Sequence, residues 1–227
     1  MRDSYLLFFD EDKGYIQKDQ FFKFGLEETI YSPYERAEVE WNQLKQRIDD
    51  NGKVFIRGFG RDAKGTHLFQ EFYKLVGNSE VKKDPTNNAE PTKIIRELTG
   101  YSKLKNSKYK NIRNYQVSHI FGRTKNIYAF TAPWNIVYMP KMLDPFTGHE
   151  AQGELIDEYT VLFQKKSYNM FSKLIDDFNG IVTDQLFTNK LEDCLSKMSA
   201  NDAFDIKDIE KLKKAVHEEF MPIEIQT

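Results

Sequence analysis

Apolar residues at helical spacing predict helices on both sides of a central β-rich segment. The first clear helix begins at the capping-box sequence of residues 32–35, with Ser32 as its N-cap, and ends at Asn51-Gly52. Its inner face carries four apolar residues: Ala37, Trp41, Leu44 and Ile48. A short buried strand follows at 53–57.

Further along, the pattern alternates between helical and polar stretches. A second helix is predicted from Thr66, stopped by Gly77, and a third over 93–99. The polar, proline-containing stretch 78–92 between them is typical of a loop. After Gly153, three amphipathic runs predict helices to the end of the chain. The first thirty residues are compatible with either a hairpin or short helices.

The segment around His119 has a different pattern. Tyr115, Val117 and Ile120 predict a strand that ends near His119, and 136–139 predict a second strand. A polar turn with Gly122, Arg123 and Lys125 lies between them. After residue 139 comes a loop, then a helix predicted to open near His149. The predicted order is strand, loop, strand, helix.

Charge is distributed unevenly along the chain. No Asp or Glu occurs from Tyr101 to Lys141, and this block carries eight positive residues: Lys103, Lys105, Lys108, Lys110, Arg113, Arg123, Lys125 and Lys141. Since the chain has a net charge of −2, the remainder carries −10. Such a block favours a polyanionic partner, because cations gain free energy by displacing counterions from phosphates. A solvated basic face balanced by acidic helices is the alternative.

Two histidines in or just after this block offer chemistry. The ordinary pKa of histidine, about 6.5, suits proton abstraction near neutral pH, which makes His119 a candidate general base. A neutral imidazole at His149 is suited to binding a metal. Hydrolysis of a phosphodiester requires an activated water and stabilised charge on the phosphate, and a histidine with one divalent ion supplies both.

These residues resemble a known nuclease motif. Ser118-His119-Ile120, then Trp134-Asn135-Ile136-Val137 sixteen positions after the histidine, then His149 fourteen further on, are similar to the HNH, or ββα-metal, nuclease motif. The resemblance covers roughly 114–153 and implies His119 as the general base. It implies Asn135 as the amide that fixes the hairpin holding this histidine, and His149 as a metal ligand.

The resemblance has two departures. Ser118 stands before the base, where the family commonly has Asp, Glu or His as a metal ligand. A serine hydroxyl is a weak ligand for a hard cation, so either Ser118 binds through water or Asp144 or Glu150 completes the shell. The zinc-binding cysteines frequent in the family are absent, so no structural zinc is expected. Packing of Tyr115, Phe130 and Trp134 is expected to hold the hairpin instead.

Composition and length limit the class of protein. No apolar run approaches the roughly 20 residues of a membrane helix, and residues 1–15 lack the pattern of a secretory signal. We therefore expect a cytoplasmic protein without membrane association. The single cysteine, Cys194, excludes an intrachain disulfide and a Cys-rich zinc site.

The predicted fold is α+β, with a ββα-metal hairpin–helix core at about 110–153 between an N-terminal α/β region and C-terminal helices. Residues 1–92 are predicted to recognise DNA or dimerise, 93–153 to form the basic nuclease core, and 154–227 to form helices. Arg113, Arg123, Lys125 and Lys141 are the predicted DNA contacts.

The predicted function is site-specific cleavage of double-stranded DNA, similar to type II restriction enzymes of the HNH group. Catalytic residues would be His119, Asn135 and Ser118, with His149 and Ser118 as ligands of Mg²⁺, or alternatively Mn²⁺. A palindromic site would be cut by a homodimer, one hairpin per strand. A non-specific toxin or phage nuclease and an inactive DNA-binding protein are the alternatives.

Overall fold

A computed structural model describes residues 3–58, 66–78, 80–105, 108–147 and 151–225 of the chain. The fold is of the mixed α+β class, as predicted, and it is mostly helical with small sheets. Three two-stranded sheets lie within the described ranges. In none of these ranges does a helix combine the length and the apolar composition needed to cross a bilayer.

Helices flank the small strands in chain order. The helices are α1 (Ser4–Phe8), α2 (Lys18–Glu28), α3 (Tyr34–Asp49), α4 (Thr66–Val76), α5 (Ala89–Thr99), α6 (Glu154–Thr183), α7 (Gln185–Ser199) and α8 (Ile206–Glu219). The strands are β1 (Val54–Ile56), β2 (Val81–Lys83), β3 (Tyr101–Ser102), β4 (Lys110–Asn111), β5 (Tyr115–His119) and β6 (Ile136–Pro140). Short 3₁₀ helices cover Glu11–Lys13 and Lys141–Thr147.

Most of the predicted helices are present, but the predicted cap of α3 is wrong. Pro33, not Ser32, is the N-cap residue, and no side chain caps this helix end. Ser32 is buried instead, at 1% exposure. Within residues 3–30 the chain forms helices rather than a hairpin. The C-terminal prediction of three helices is confirmed, with a non-helical residue, Phe171, inside α6.

The stretch 78–92 is not the loop that its polarity predicted. It contains β2, which pairs in parallel with β1, Val54 opposite Val81. It also contains the first turn of α5, where Pro91 is tolerated because the first turn leaves backbone N–H groups without helical partners. Local composition missed β2 because a strand this short is stabilised by its partner rather than by its own residues.

Asp84, directly after β2, joins this sheet to α5. Its buried carboxylate accepts hydrogen bonds from the backbone N–H groups of Thr86, Ala89 and Glu90 at 2.8–3.0 Å. These bonds satisfy donors at the start of α5, and helix N-termini favour negative charge. Asp84 therefore sets the position of α5, whose Ile95 packs against β5 and β6.

Replacing Asp84 with Ala is expected to lower the free energy of unfolding by about 2–4 kcal/mol, because three partly buried backbone hydrogen bonds lose their charged acceptor. Urea unfolding followed by circular dichroism measures this. Asp205→Ala is the matched control, since Asp205 caps α8 from an exposed position and should cost only about 1 kcal/mol. Equal losses for the two variants would contradict the role of Asp84.

Three hydrophobic clusters surround the β5–β6 hairpin. The largest combines α3, α4, α7 and α8 with the segment 127–134 between the two strands. A second packs Val137 and Met139 against residues of α2 and α6. A third packs Val117, Ile136 and Tyr138 against Ile95. The clusters draw on all three predicted regions, 1–92, 93–153 and 154–227, and this division stays a prediction.

Candidate active site on the β5–β6 hairpin

The strands β5 and β6 form the antiparallel hairpin predicted around His119. Their register places Ser118 opposite Val137 and His119 opposite Ile136. Because neighbouring residues of a strand point to opposite faces, Ser118 lies on the face that packs against α6 and His119 on the other. The strand, loop, strand order is as predicted, and α6 begins at Glu154, after the 3₁₀ helix.

His119 is held by the loop between the strands. Its Nε2 lies 2.9 Å from the carbonyl oxygen of Phe130, and the two rings stack at 5.3 Å with an angle of 12°. A carbonyl only accepts hydrogen bonds, so Nε2 carries the proton. In the neutral imidazole Nδ1 is then the basic nitrogen. The side chain is 7% exposed.

Asn135 ties the loop to the hairpin from within. Its Nδ2 donates to the carbonyl oxygens of Gly122 (2.9 Å) and Ala129 (3.0 Å), and its Oδ1 accepts from the N–H of Phe121 at 2.9 Å. The residue is fully buried. These three bonds connect both ends of the loop and fix the residue next to Phe130. They are the contacts expected of an amide that holds the hairpin around His119.

Packing supports the same loop from outside. Trp134 is fully buried between Trp41 and Phe178. Its ring centroid lies 5.7 Å from that of Trp41 and 5.2 Å from that of Phe178. Tyr115 packs against the small cluster on the α5 side. The packing expected of Tyr115, Phe130 and Trp134 is therefore present.

The predicted metal ligands are only partly described. Ser118 is buried, at 6% exposure, on the α6 side of the hairpin. Asp144 lies in the 3₁₀ helix after β6, whereas His149 and Glu150 lie outside the described residues. Within the described ranges, no three His, Cys, Asp or Glu residues come together to hold a metal ion. Ser118 and Asp144 alone do not fit a divalent ion, which prefers several oxygen ligands.

Two of the predicted DNA contacts face the interior. Lys125 is 8% exposed, with its Nζ 5.2 Å from the ring centroid of Phe69, so a surface grip on phosphate does not fit its placement. Arg123 is half-buried, and desolvation lowers its pKa while the charges of Glu219 and Glu218 raise it. The local pattern gave no sign of this, because the loop is polar in sequence but packs into the core.

The other six cations of the acid-free block are exposed, and we call them the basic surface: Lys103, Lys105, Lys108, Lys110, Arg113 and Lys141. Desolvation, with the nearby charge of Lys141, lowers the pKa of Lys103, so the two charges lie close together although they are distant in sequence. Aromatic rings lie among them, as Lys110 stands 6.0 Å from the ring centroid of Tyr101. Arg113 and Lys141, two of the predicted DNA contacts, are therefore exposed, and their contact with phosphate stays a prediction.

Glu219, at the end of α8, contacts the loop between β5 and β6, a contact that sequence reasoning missed. Its Oε2 accepts from the backbone N–H of Lys125 at 2.9 Å, and its carbonyl oxygen accepts from Nδ2 of Asn126 at 2.8 Å. Burial raises the pKa of Glu219 to about 7, against the opposing effects of the Lys125 hydrogen bond and the Arg123 charge. In sequence it is one acidic residue among several on an amphipathic helix, and nothing marks it.

Comparisons with known proteins give a family. The profile of the family described as "Uncharacterised protein PM1201" matches residues 32–225. The "Uncharacterized protein PM1201" of Pasteurella multocida (strain Pm70) is 44% identical over 182 residues, which cover 80% of each chain. No solved structure matches the chain. The range matched by the profile includes the whole β5–β6 hairpin and Glu219.

Proposed function

Since the chain belongs to the family described as uncharacterised protein PM1201, and this description states no activity, we propose a function from the geometry of the hairpin. The protein is a site-specific endonuclease for double-stranded DNA, of the HNH type, with His119 as general base. The observation that carries the proposal is the hydrogen bond from Nε2 of His119 to the Phe130 carbonyl, in a loop fixed by Asn135.

This bond prepares His119 for proton transfer. It keeps the proton on Nε2 and leaves Nδ1 as the base, and orientation of an imidazole by a second partner is a recurring requirement for such a role. Nδ1 takes a proton from a water molecule while the water oxygen bonds to phosphorus. The bond from phosphorus to the 3′-oxygen breaks, and its electron pair stays on that oxygen, which then takes a proton from solvent water. The products are a 5′-phosphate and a 3′-hydroxyl.

The proposal includes a divalent ion, Mg²⁺ first and Mn²⁺ second. When bound, such an ion stabilises negative charge on the scissile phosphate. Its proposed ligands are His149 and Ser118, and Asp144 or Glu150 is needed in addition because a serine hydroxyl is weak. The described residues do not by themselves fit the ion, so the roles of His119 and Asn135 are derived without it.

The basic surface supports DNA as the substrate. Six exposed cations, without an acidic residue between them in sequence, suit contact with phosphates on a duplex. Arg123 and Lys125 are left out of the proposed interface because both lie beside Glu219. A homodimer, one hairpin per strand, is proposed for cleavage of both strands at a palindromic site.

Cleavage assays test the proposal. The purified protein is incubated with plasmid and phage DNA with Mg²⁺, with Mn²⁺, or with EDTA. A discrete fragment pattern that requires the metal is the expected result, and a smear would indicate a non-specific nuclease instead. If no DNA is cleaved in a metal-dependent way under these conditions, the proposed endonuclease activity is refuted.

Two observations favour a second candidate, a DNA-binding protein without activity. His119 is only 7% exposed, and Ser118 stands where a strong metal ligand is expected. Such a protein would bind DNA through the basic surface and show no cleavage with either metal. Binding without cleavage in the assays above, at protein concentrations that saturate the DNA, would select this candidate.

The basic surface makes a prediction of its own. Replacing Lys110 and Arg113 together with Ala is expected to weaken binding to all DNA sequences alike. The slope of log affinity against log salt should fall by about 2, because each cation removed leaves roughly one phosphate with its counterions. Fluorescence anisotropy with EDTA present measures both. Lys214→Ala is the control, since its side chain is 77% exposed on α8 outside this surface. An unchanged slope in the double variant would remove these residues from the interface.

A further inference from the structure

The loop that holds His119 is anchored by elements far away in sequence. Tyr73 on α4 donates from its hydroxyl to the carbonyl oxygen of Lys125 at 2.6 Å. The backbone N–H of Arg57, after β1, donates to the carbonyl oxygen of Thr124 at 2.9 Å. Glu219 on α8 contacts Lys125 and Asn126. The loop is therefore clamped at its middle, in addition to the bonds of Asn135 at its ends.

From this clamp, a short path of hydrogen bonds leads to His119. The carbonyl oxygen of Asn126 accepts from the N–H groups of Ala129 and Phe130, at 3.0 and 2.9 Å. The Phe130 carbonyl in turn accepts from His119. A change in the position of the Lys125–Asn126 turn is thus passed to the atom that fixes the imidazole through a single turn of backbone.

We propose that Glu219 is a positioning residue for His119, which acts by holding the Lys125–Asn126 turn. This rests on the proposed function as far as cleavage is concerned. The carboxylate of Glu219 bonds to the turn, whereas His119 bonds to the Phe130 carbonyl further along the loop. The effect of Glu219 therefore passes through the backbone of the loop.

The buried charge of Glu219 lowers the stability of the fold, which agrees with a role for this residue other than stabilisation. The pKa of Glu219 is raised from 4.5 to about 7, chiefly by burial, so its ionisation reduces stability as the pH rises through this window. Arg123 and Lys125 face the carboxylate from the loop, Tyr73 faces it from α4, and Glu218 is its neighbour on α8. Glu219→Gln removes the ionisation, so its stability relative to the native protein should increase between pH 4.5 and 7.

The test combines cleavage kinetics with a readout that does not depend on activity. Long-range ¹H–¹⁵N spectra report which nitrogen of His119 carries the proton, with the His119→Gln spectrum for assignment. The variants are Glu219→Ala, which removes the acceptor, Glu219→Asp, which shortens it, and Glu219→Gln, which keeps an acceptor without charge. Glu218→Gln, exposed on the same helix, is the matched control.

Glu219→Ala and Glu219→Asp are expected to lower the population of the Nε2–H tautomer of His119. Both variants should lower kcat about ten-fold and keep KM within about two-fold of the native value. Glu219→Gln is expected to keep the native tautomer, and Glu218→Gln to leave the His119 tautomer, kcat and KM unchanged. If Glu219→Ala does not fold, Glu219→Asp decides. A native tautomer of His119 in Glu219→Asp would overturn the positioning role of Glu219. If the tautomer shifts in the variants but the native protein shows no nuclease activity, only the proposed function is refuted.

Discussion

Replacing His119 with Gln is expected to lower kcat for DNA cleavage by about 10³-fold, with little change in DNA affinity. General base catalysis by a positioned side chain contributes about 10² to 10⁴ in rate, and an amide cannot take the proton from water. Glutamine nevertheless retains a donor for the Phe130 carbonyl, which accepts from Nε2 in the native protein. Cleavage of a labelled duplex under single-turnover conditions measures the effect.

A control is needed because His119 is buried and stacked on Phe130. The melting temperature of His119→Gln shows whether the hairpin is intact. His217→Gln changes an exposed histidine of α8, paired with Glu192 at the surface, and should cleave like the native protein. If His119→Gln is folded and cleaves within about ten-fold of the native rate, another group is the base.

Replacing Asn135 with Ala is expected to lower the free energy of unfolding by about 3–5 kcal/mol and to abolish cleavage. Three backbone groups, on Phe121, Gly122 and Ala129, lose their partner at once. Each unsatisfied buried group costs about 1–3 kcal/mol. The loss of activity follows because the Ala129 carbonyl is then no longer held, and Phe130, whose carbonyl oxygen accepts from the imidazole, loses its fixed position. Urea unfolding and cleavage of the remaining folded protein measure the two effects.

Asn179 provides a matched control for Asn135. It bridges α6 to Ile223 with two backbone hydrogen bonds, 3.0 Å to the carbonyl and 2.7 Å from the N–H. Asn179→Ala therefore removes a similar clamp away from the hairpin, and should reduce stability without reducing kcat per folded molecule. If the two variants lose stability and kcat in parallel, Asn135 has a general structural role rather than a specific one.

The helices and the hairpin were predictable because their signals are local. Ala37, Trp41 and Leu44 mark one face of α3, and all are buried there. The strands around His119 and Ile136 are rich in β-forming residues and pair as the pattern indicated. The cap of α3 was mispredicted because Pro33 has an extended ψ of 137° and the helix begins one residue later, at Tyr34. The strand β2 was missed because it depends on β1.

In the candidate site, too, local features were predictable and features that depend on the tertiary fold were not. The hydrogen bonds of Asn135 join residues close in sequence, and its role in a catalytic site stays a prediction. The roles of the Phe130 carbonyl and of Glu219 were not predictable, since both follow from a loop that folds back onto α4 and α8. Burial of Lys125 has the same origin, because only the tertiary fold reveals that this polar turn packs against Phe69. Residue type alone indicated chemistry, while placement determined which residues can take part.

The insertion of the loop into the largest hydrophobic cluster affects when the hairpin matures during synthesis. Ile127, Ala129 and Trp134 belong to the same cluster as Leu195 on α7 and Val216 on α8. A ribosome translates the hairpin well before it translates these helices, so the nascent loop lacks part of its packing until they emerge. Cleavage-competent geometry would then arise late in translation, and an isolated hairpin fused to another DNA-binding module would lack it.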